Sequence, residues 1–69
     1  MIPVLSSNVA AIGYDAGSST LLVRFHDGAR VYSYRGVPTA VYRAFLDSPS
    51  KGRFLARFIK GHYSYARVA

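Results

Sequence analysis

Residues 20–35, TLLVRFHDGARVYSYR, decide the fold. They read as two strands joined by a tight turn at Asp27-Gly28. Asp-Gly between alternating residues is a strong hairpin signal, because the turn needs positive φ. Successive side chains of a strand point to opposite faces. Leu21, Val23 and Phe25 therefore share one face, and Leu22, Arg24 and His26 share the other. Loop length fixes which faces of the two strands match. A two- or four-residue loop sets Phe25 across from Arg30, Val23 across from Tyr32, and Leu21 across from Tyr34. A three-residue loop with a bulge reverses that parity. The even loop is favoured because it collects the larger side chains on one side. It makes Tyr32 and Tyr34 core residues rather than an open binding surface.

Outward from this hairpin, Val9 to Tyr14 reads as a preceding strand, with Val9, Ala11 and Gly13 alternating against Ala10, Ile12 and Tyr14. Asp15-Ala16-Gly17-Ser18-Ser19 is turn chemistry. Ile2 to Leu5 reads as a first strand or an ordered arm, ended by Ser6-Ser7-Asn8. Gly36-Val37-Pro38 ends the sheet, and Pro38 suits the first turn of a helix. Val41, Ala44 and Phe45 then recur at helical spacing up to Asp47, flanked by Tyr42 and Leu46. Ser48-Pro49-Ser50 separates this helix from a second, over Gly52 to Lys60. Ser50 is the candidate N-cap. Phe54, Leu55, Phe58 and Ile59 form the apolar stripe, Arg53, Arg57 and Lys60 lie on another side, and Gly61 is the stop. His62 to Val68 alternates again, as an edge strand or a docked tail. The expected fold is α+β: a three-stranded antiparallel meander, then two short helices on one face (β-β-β-α-α), with a possible short C-terminal strand.

The chain of 69 residues is expected to form one domain, 1–69. A domain this small buries only about 60% of its unfolded surface, so oligomerisation would add stability. The hydrophobic share of 51% supplies a core and argues against disorder. With no cysteine there is neither a disulfide nor a thiolate metal site. No apolar run approaches the ~20 residues of a membrane span. The first residues carry no basic group before their apolar part and make a poor signal peptide, so a cytoplasmic location is expected. Charge is the strongest compositional feature. Nine Lys and Arg face three Asp and no Glu, for a net +6, and seven of the nine are Arg. Arg suits bidentate phosphate contacts and stacking on bases. A polyanionic partner follows; the plainer reading is charge for solubility.

Several motifs in this order resemble the KTSC domain, a short module at the C-terminus of some lysyl-tRNA synthetases and a stand-alone small protein of bacteria and phages. The matching pieces are Ser7-Asn8, Gly13-Tyr14-Asp15, the L-x-V-x-F of Leu21, Val23 and Phe25, and Gly28. They continue with Tyr32-x-Tyr34, Gly36-Val37-Pro38, Tyr42, Ser50-Lys51-Gly52-Arg53-Phe54 and the closing tyrosines near Tyr63. The family usually places Tyr or Phe and then Asn after its S-x-G motif. Here Phe54 is followed by Leu55 and Ala56, so a polar role for that Asn is absent. The synthetase context implies RNA binding.

The residue set argues against an enzyme. General acid–base chemistry needs a titratable group held by a second one. Asp15 and Asp27 sit in turns, Asp47 at a helix end, and His26 and His62 stand alone. No cofactor or metal is expected. Ser50-Lys51-Gly52-Arg53 is the leading candidate site, a phosphate cradle at a helix N-terminus, where unpaired N–H groups meet added positive charge. An ordinary capped helix start is the competing reading. Arg57 and Lys60 extend the basic stripe, with Arg24 or Arg35 as further contacts.

Three functions follow. The first is a non-catalytic nucleic-acid-binding module, RNA favoured, using Lys51, Arg53, Arg57 and Lys60 with Arg24 or Arg35. The second is a homo-oligomer that captures a small phosphate-bearing ligand, such as a nucleotide signal. The third is a protein-interaction module using an aromatic patch or an edge strand.

Overall fold

A computed structural model describes residues 1–69. The 20–35 stretch forms the expected hairpin. Strand β3 spans Thr20–Phe25 and strand β4 spans Val31–Tyr34. Leu21 pairs with Tyr34 and Val23 with Tyr32, which is the even-loop register. The Phe25 N–H donates to the Arg30 carbonyl at 2.9 Å, closing a four-residue loop. No two-residue primed turn forms at Asp27-Gly28. Asp27–Ala29 instead winds into one 3₁₀ turn. Gly28 and Ala29 both take positive φ, at 67° and 50°.

Strand β1, Ile2–Pro3, and strand β2, Val9–Asp15, precede the hairpin. Strand β5, Tyr65–Arg67, follows the helices. The sheet therefore has five antiparallel strands in the order β1-β2-β3-β4-β5, where the sequence reading expects three. Both extra strands are open alternatives in the sequence, an arm or strand at Ile2 to Leu5 and a strand or tail at His62 to Val68, and pairing with a neighbour decides for strands. Ile2 lies opposite Ile12, and Tyr65 lies opposite Tyr34.

The alternation expected along β2 is also broken. Register shifts between Val9 and Ala11, so Val9 faces Phe25 while Ile12 faces Val23. A bulge inserts one unpaired residue and resets the parity of the strand. Val9, Ile12 and Tyr14 thereby share the core face, although the sequence reading separates Val9 from the other two.

Helix α1 spans Thr39–Asp47, and Pro38 stands at its start. Phe45 is its buried residue, with Val41, Tyr42 and Leu46 half-buried beside the core. Ala44, expected on this stripe, is exposed. Helix α2 begins at Lys51–Phe54 and passes directly into a π-helical turn over Leu55–Ile59. There the Lys60 N–H donates to the Leu55 carbonyl at 2.8 Å, five residues back. The wider turn aligns Leu55 and Ile59, both buried, against the sheet. It also rotates Phe58 outward to 52% exposure, so the expected four-residue stripe keeps only three contributors. Phe58 instead packs on Phe54, with ring centroids 4.8 Å apart.

The core unites Val9, Ile12, Leu21, Val23, Phe25 and Tyr34 of the sheet with Val37, Phe45, Leu55 and Ile59. The helices thus cover β2, β3 and one end of β4. Every residue of β5 stays exposed. No helix is long and apolar enough to cross a membrane.

Candidate nucleotide-binding cleft

The uncovered part of the sheet's helix-side face forms a cleft of about 550 Å³. Its wall follows from the hairpin register. Opposed residues of neighbouring strands point the same way, so Phe25, Tyr32, Tyr34 and Tyr65 converge. Phe25 meets Tyr32 edge-on at 5.7 Å between centroids. Tyr32 and Tyr65 lie nearly parallel at 5.8 Å, and Tyr34 and Tyr65 are tilted at 6.0 Å. Tyr34 is 2% exposed and belongs to the core, as the register reading expects. Tyr32 is half-buried and Tyr65 exposed. Burial pushes the Tyr34 phenol above its ordinary pKa, and the neighbouring Tyr32 and Tyr65 add to the rise.

Two cations line the same cleft. Arg30 is held by Asp27, through Nη2 to Oδ2 at 2.8 Å and Nε to the Asp27 carbonyl at 3.3 Å. Arg30–Asp27 is the one salt bridge of the chain. Lys60 has no carboxylate partner, and its Nζ stands 5.8 Å from the Phe25 ring centroid, within cation–π reach. Lys60 occupies this position because the helix ends there. Its backbone is extended, and Gly61 follows with φ of 80°. Asn8 and Gly61 complete the mouth.

The expected phosphate cradle lies elsewhere. Ser50 is the N-cap of α2, its Oγ accepting from the Arg53 N–H at 3.3 Å. The Lys51 ammonium donates to the Ser48 carbonyl at 2.6 Å, so it ties the α1–α2 junction rather than standing free. A Cβ on Gly52 would meet Asn8 Nδ2 at 3.7 Å, so Asn8 packs directly against the glycine. The motif pieces Ser7-Asn8 and Ser50-Lys51-Gly52 are thus brought together. A small polar hollow of about 250 Å³ lies between Ser6-Ser7 and Pro49–Gly52.

The basic residues are not gathered into one stripe. Arg53 and Arg57 are exposed on α2 and the π turn, and the Arg57 guanidinium lies 6.0 Å from the Phe58 ring. Lys60 leaves them for the cleft. Arg24 pairs in register with Ala11 and Val31 on the opposite face of the sheet. Arg35 follows Tyr34 at the far end of β4 from the Arg30 loop, where its N–H donates to the Ser64 carbonyl at 2.9 Å. Arg24 thus lies on the sheet face turned away from the helices. Sequence reasoning puts Phe25, Arg30, Tyr32 and Tyr34 on one face through the hairpin register, but it assigns both tyrosines to the core and Lys60 to a helix stripe, and it does not bring Lys60 or Tyr65 to that face. The signal for Tyr65 is the alternation in residues 62–68, which aligns it with Tyr63 and Arg67.

Other motif residues are scaffold. The Tyr14 hydroxyl donates to the Val37 carbonyl at 2.6 Å, and its ring stacks on Tyr42 at 4.5 Å. Asp15 closes its own turn, accepting from the Gly17 N–H and the Ser18 hydroxyl. His26 and His62 each bond a backbone carbonyl, of Ser6 and Arg57.

Comparison with known proteins accords with this arrangement. The KTSC domain family matches residues 5–63. An uncharacterized protein of Stutzerimonas stutzeri is 37% identical over 68 residues, covering 97% of this chain and 94% of the relative. A lysine–tRNA ligase of Nostoc sp. is 33% identical over 63 residues, which is 91% of this chain but 11% of the ligase. The crystal structure of a KTSC domain protein from Yersinia pestis superposes with a TM-score of 0.92 at 36% identity, covering 97% of this chain and 93% of that one. With residues 5–63 matched by the family and 97% of the chain matched by a solved member, the chain belongs to the KTSC domain family.

Proposed function

We propose that this protein is a small non-catalytic nucleic-acid-binding module, with RNA as the favoured partner. The observation that carries the reading is the pairing of an open aromatic wall with unneutralised cations. Tyr65 and Tyr32 offer ring surface beside Lys60, and Arg53 and Arg57 stand exposed without a carboxylate partner. Single-stranded nucleic acid is held by that combination: basic groups follow the backbone while bases stack on aromatic rings. The relationship to a segment of a lysine–tRNA ligase supports the same reading.

Binding of a fluorescent single-stranded RNA at about 50 and 200 mM salt tests it. Three phosphate contacts by Arg53, Arg57 and Lys60 give a slope of about −2 in log K against log salt. Affinity then falls about 20-fold over that interval. Arg53→Glu with Arg57→Glu should remove most of the slope. Binding that ignores both the salt and the double substitution overturns the assignment.

A further inference from the structure

The cleft has a more specific content than general affinity for polyanions. Its volume of about 550 Å³ falls within the range of small-ligand sites. Its lining is part aromatic and part basic. Tyr32 and Tyr65 present ring surface, while Lys60 stands over Phe25 and Arg30 is bonded beside it through the Phe25 N–H. Two cations against the single carboxylate of Asp27, itself already bound to Arg30, leave a positive balance centred on Lys60. The ligand that matches is a planar aromatic ring carrying an anionic arm.

The ring spacing decides where such a ligand sits. Aromatic surfaces in contact stand about 3.5–4.0 Å apart, and a ring sandwiched between two others needs twice that. Tyr32 and Tyr65 are only 5.8 Å apart, so they admit no third ring between them. They stack on each other instead, and the outer face of Tyr65 is the one left open. Tyr65 is 64% exposed, which leaves its surface available, and Tyr34 behind it is fixed in the core. Lys60, held over Phe25, stands ready for a phosphate at the mouth.

We propose that the cleft binds one nucleotide, its base stacked on the outer face of Tyr65, which Tyr32 backs, and its phosphate at Lys60. The nucleotide is either free or one residue of an RNA strand; only the second source rests on the nucleic-acid reading above. Gly61, between Lys60 and Tyr65, lets the chain turn with φ of 80° so that both reach the same opening.

Amide NMR titrations with adenosine monophosphate, adenosine, inorganic phosphate and a short oligoadenylate test the site. Adenosine monophosphate should shift the amides of Tyr32, Gly61 and Tyr65. Tyr65→Ala should weaken its binding about tenfold, from the measured range for a base stacked on an aromatic ring. Lys60→Gln should weaken adenosine monophosphate but leave adenosine unchanged. Both side chains are exposed, and well-dispersed amide spectra verify that the variants remain folded. No cleft shifts with adenosine monophosphate, while oligoadenylate still binds through Arg53 and Arg57, overturns the nucleotide site and leaves the nucleic-acid reading standing. Cleft shifts with the mononucleotide, and an oligoadenylate that binds no tighter and ignores Arg53→Glu, uphold the site for a free nucleotide and sink the RNA reading. Inorganic phosphate that reproduces every shift, with adenosine silent, overturns the base stack on Tyr65.

Discussion

Replacing Tyr14 by Phe tests whether the motif tyrosine is a strut or a contact for ligand. Its hydroxyl donates a 2.6 Å hydrogen bond to the Val37 carbonyl, and Val37 is fully buried. That carbonyl has no other hydrogen-bond partner. Phe keeps the ring, and with it the stack on Tyr42 at 4.5 Å, so the substitution removes the bond to Val37 and a longer, exposed contact with the Thr39 hydroxyl at 3.4 Å. An unmatched buried carbonyl costs about 1–3 kcal/mol. This bond is only part-buried, so water reaches the vacated acceptor and the lower end applies, about 1–1.5 kcal/mol. Each kcal/mol shifts Tm by about 4–8 °C in a domain of this size, so a fall of about 4–12 °C is expected. Tyr14→Leu also loses the stack, worth about a further 0.5–1.5 kcal/mol. Thermal unfolding followed by circular dichroism measures both, and RNA affinity is measured on the same variants well below their Tm. A Tyr14→Phe protein that melts with wild type refutes the strut. If the same variant loses RNA affinity, Tyr14 belongs to a binding surface and the assignment of the Gly13–Asp15 motif to scaffold fails.

Ala29 takes φ of 50°, a left-handed conformation that costs an L residue about 1–2 kcal/mol. Ala29→Gly relieves that strain against an unfolded-state entropy cost of about 0.4–1 kcal/mol, so Tm should rise by a few degrees; a fall would mean the loop does not hold this conformation. The raised pKa of Tyr34 sets a limit at high pH. The phenol ionises first in the unfolded chain, so stability is complete below about pH 10 and declines as pH climbs through the folded-state pKa. Urea midpoints measured from pH 8 to 11 should fall at the alkaline end, and Tyr34→Phe should flatten that fall; an unchanged slope would refute the coupling.

The hairpin register was legible from residues 20–35, because strand alternation and the even loop allow one pairing that collects Leu21, Val23, Phe25, Tyr32 and Tyr34 together. The scaffold helices were legible in outline from Pro38, Ser50 and Gly61, each of which acts through its own backbone. The cap at Ser50 illustrates this, since its bond reaches only three residues along the chain. What failed was non-local. The bulge after Val9 carries no composition signal, and it exists because Phe25 and Val23 must both find apolar partners. The π turn at Leu55–Ile59 arises because Leu55 and Ile59 must both reach the sheet, at the expense of Phe58.

The candidate site divides along the same line. Charge and arginine content are sequence properties, and they raise the expectation of a polyanionic partner, while the register reading assigns Tyr32 and Tyr34 to the core. The location of the site is a tertiary property. Phe25, Lys60 and Tyr65 are separated by strand β4, two helices, the π turn and a loop, and they meet because β5 pairs with β4 while the helices stop short of it. A three-residue strand has no independent stability, so its register, and the cleft with it, is decided only when the sheet has formed to receive it.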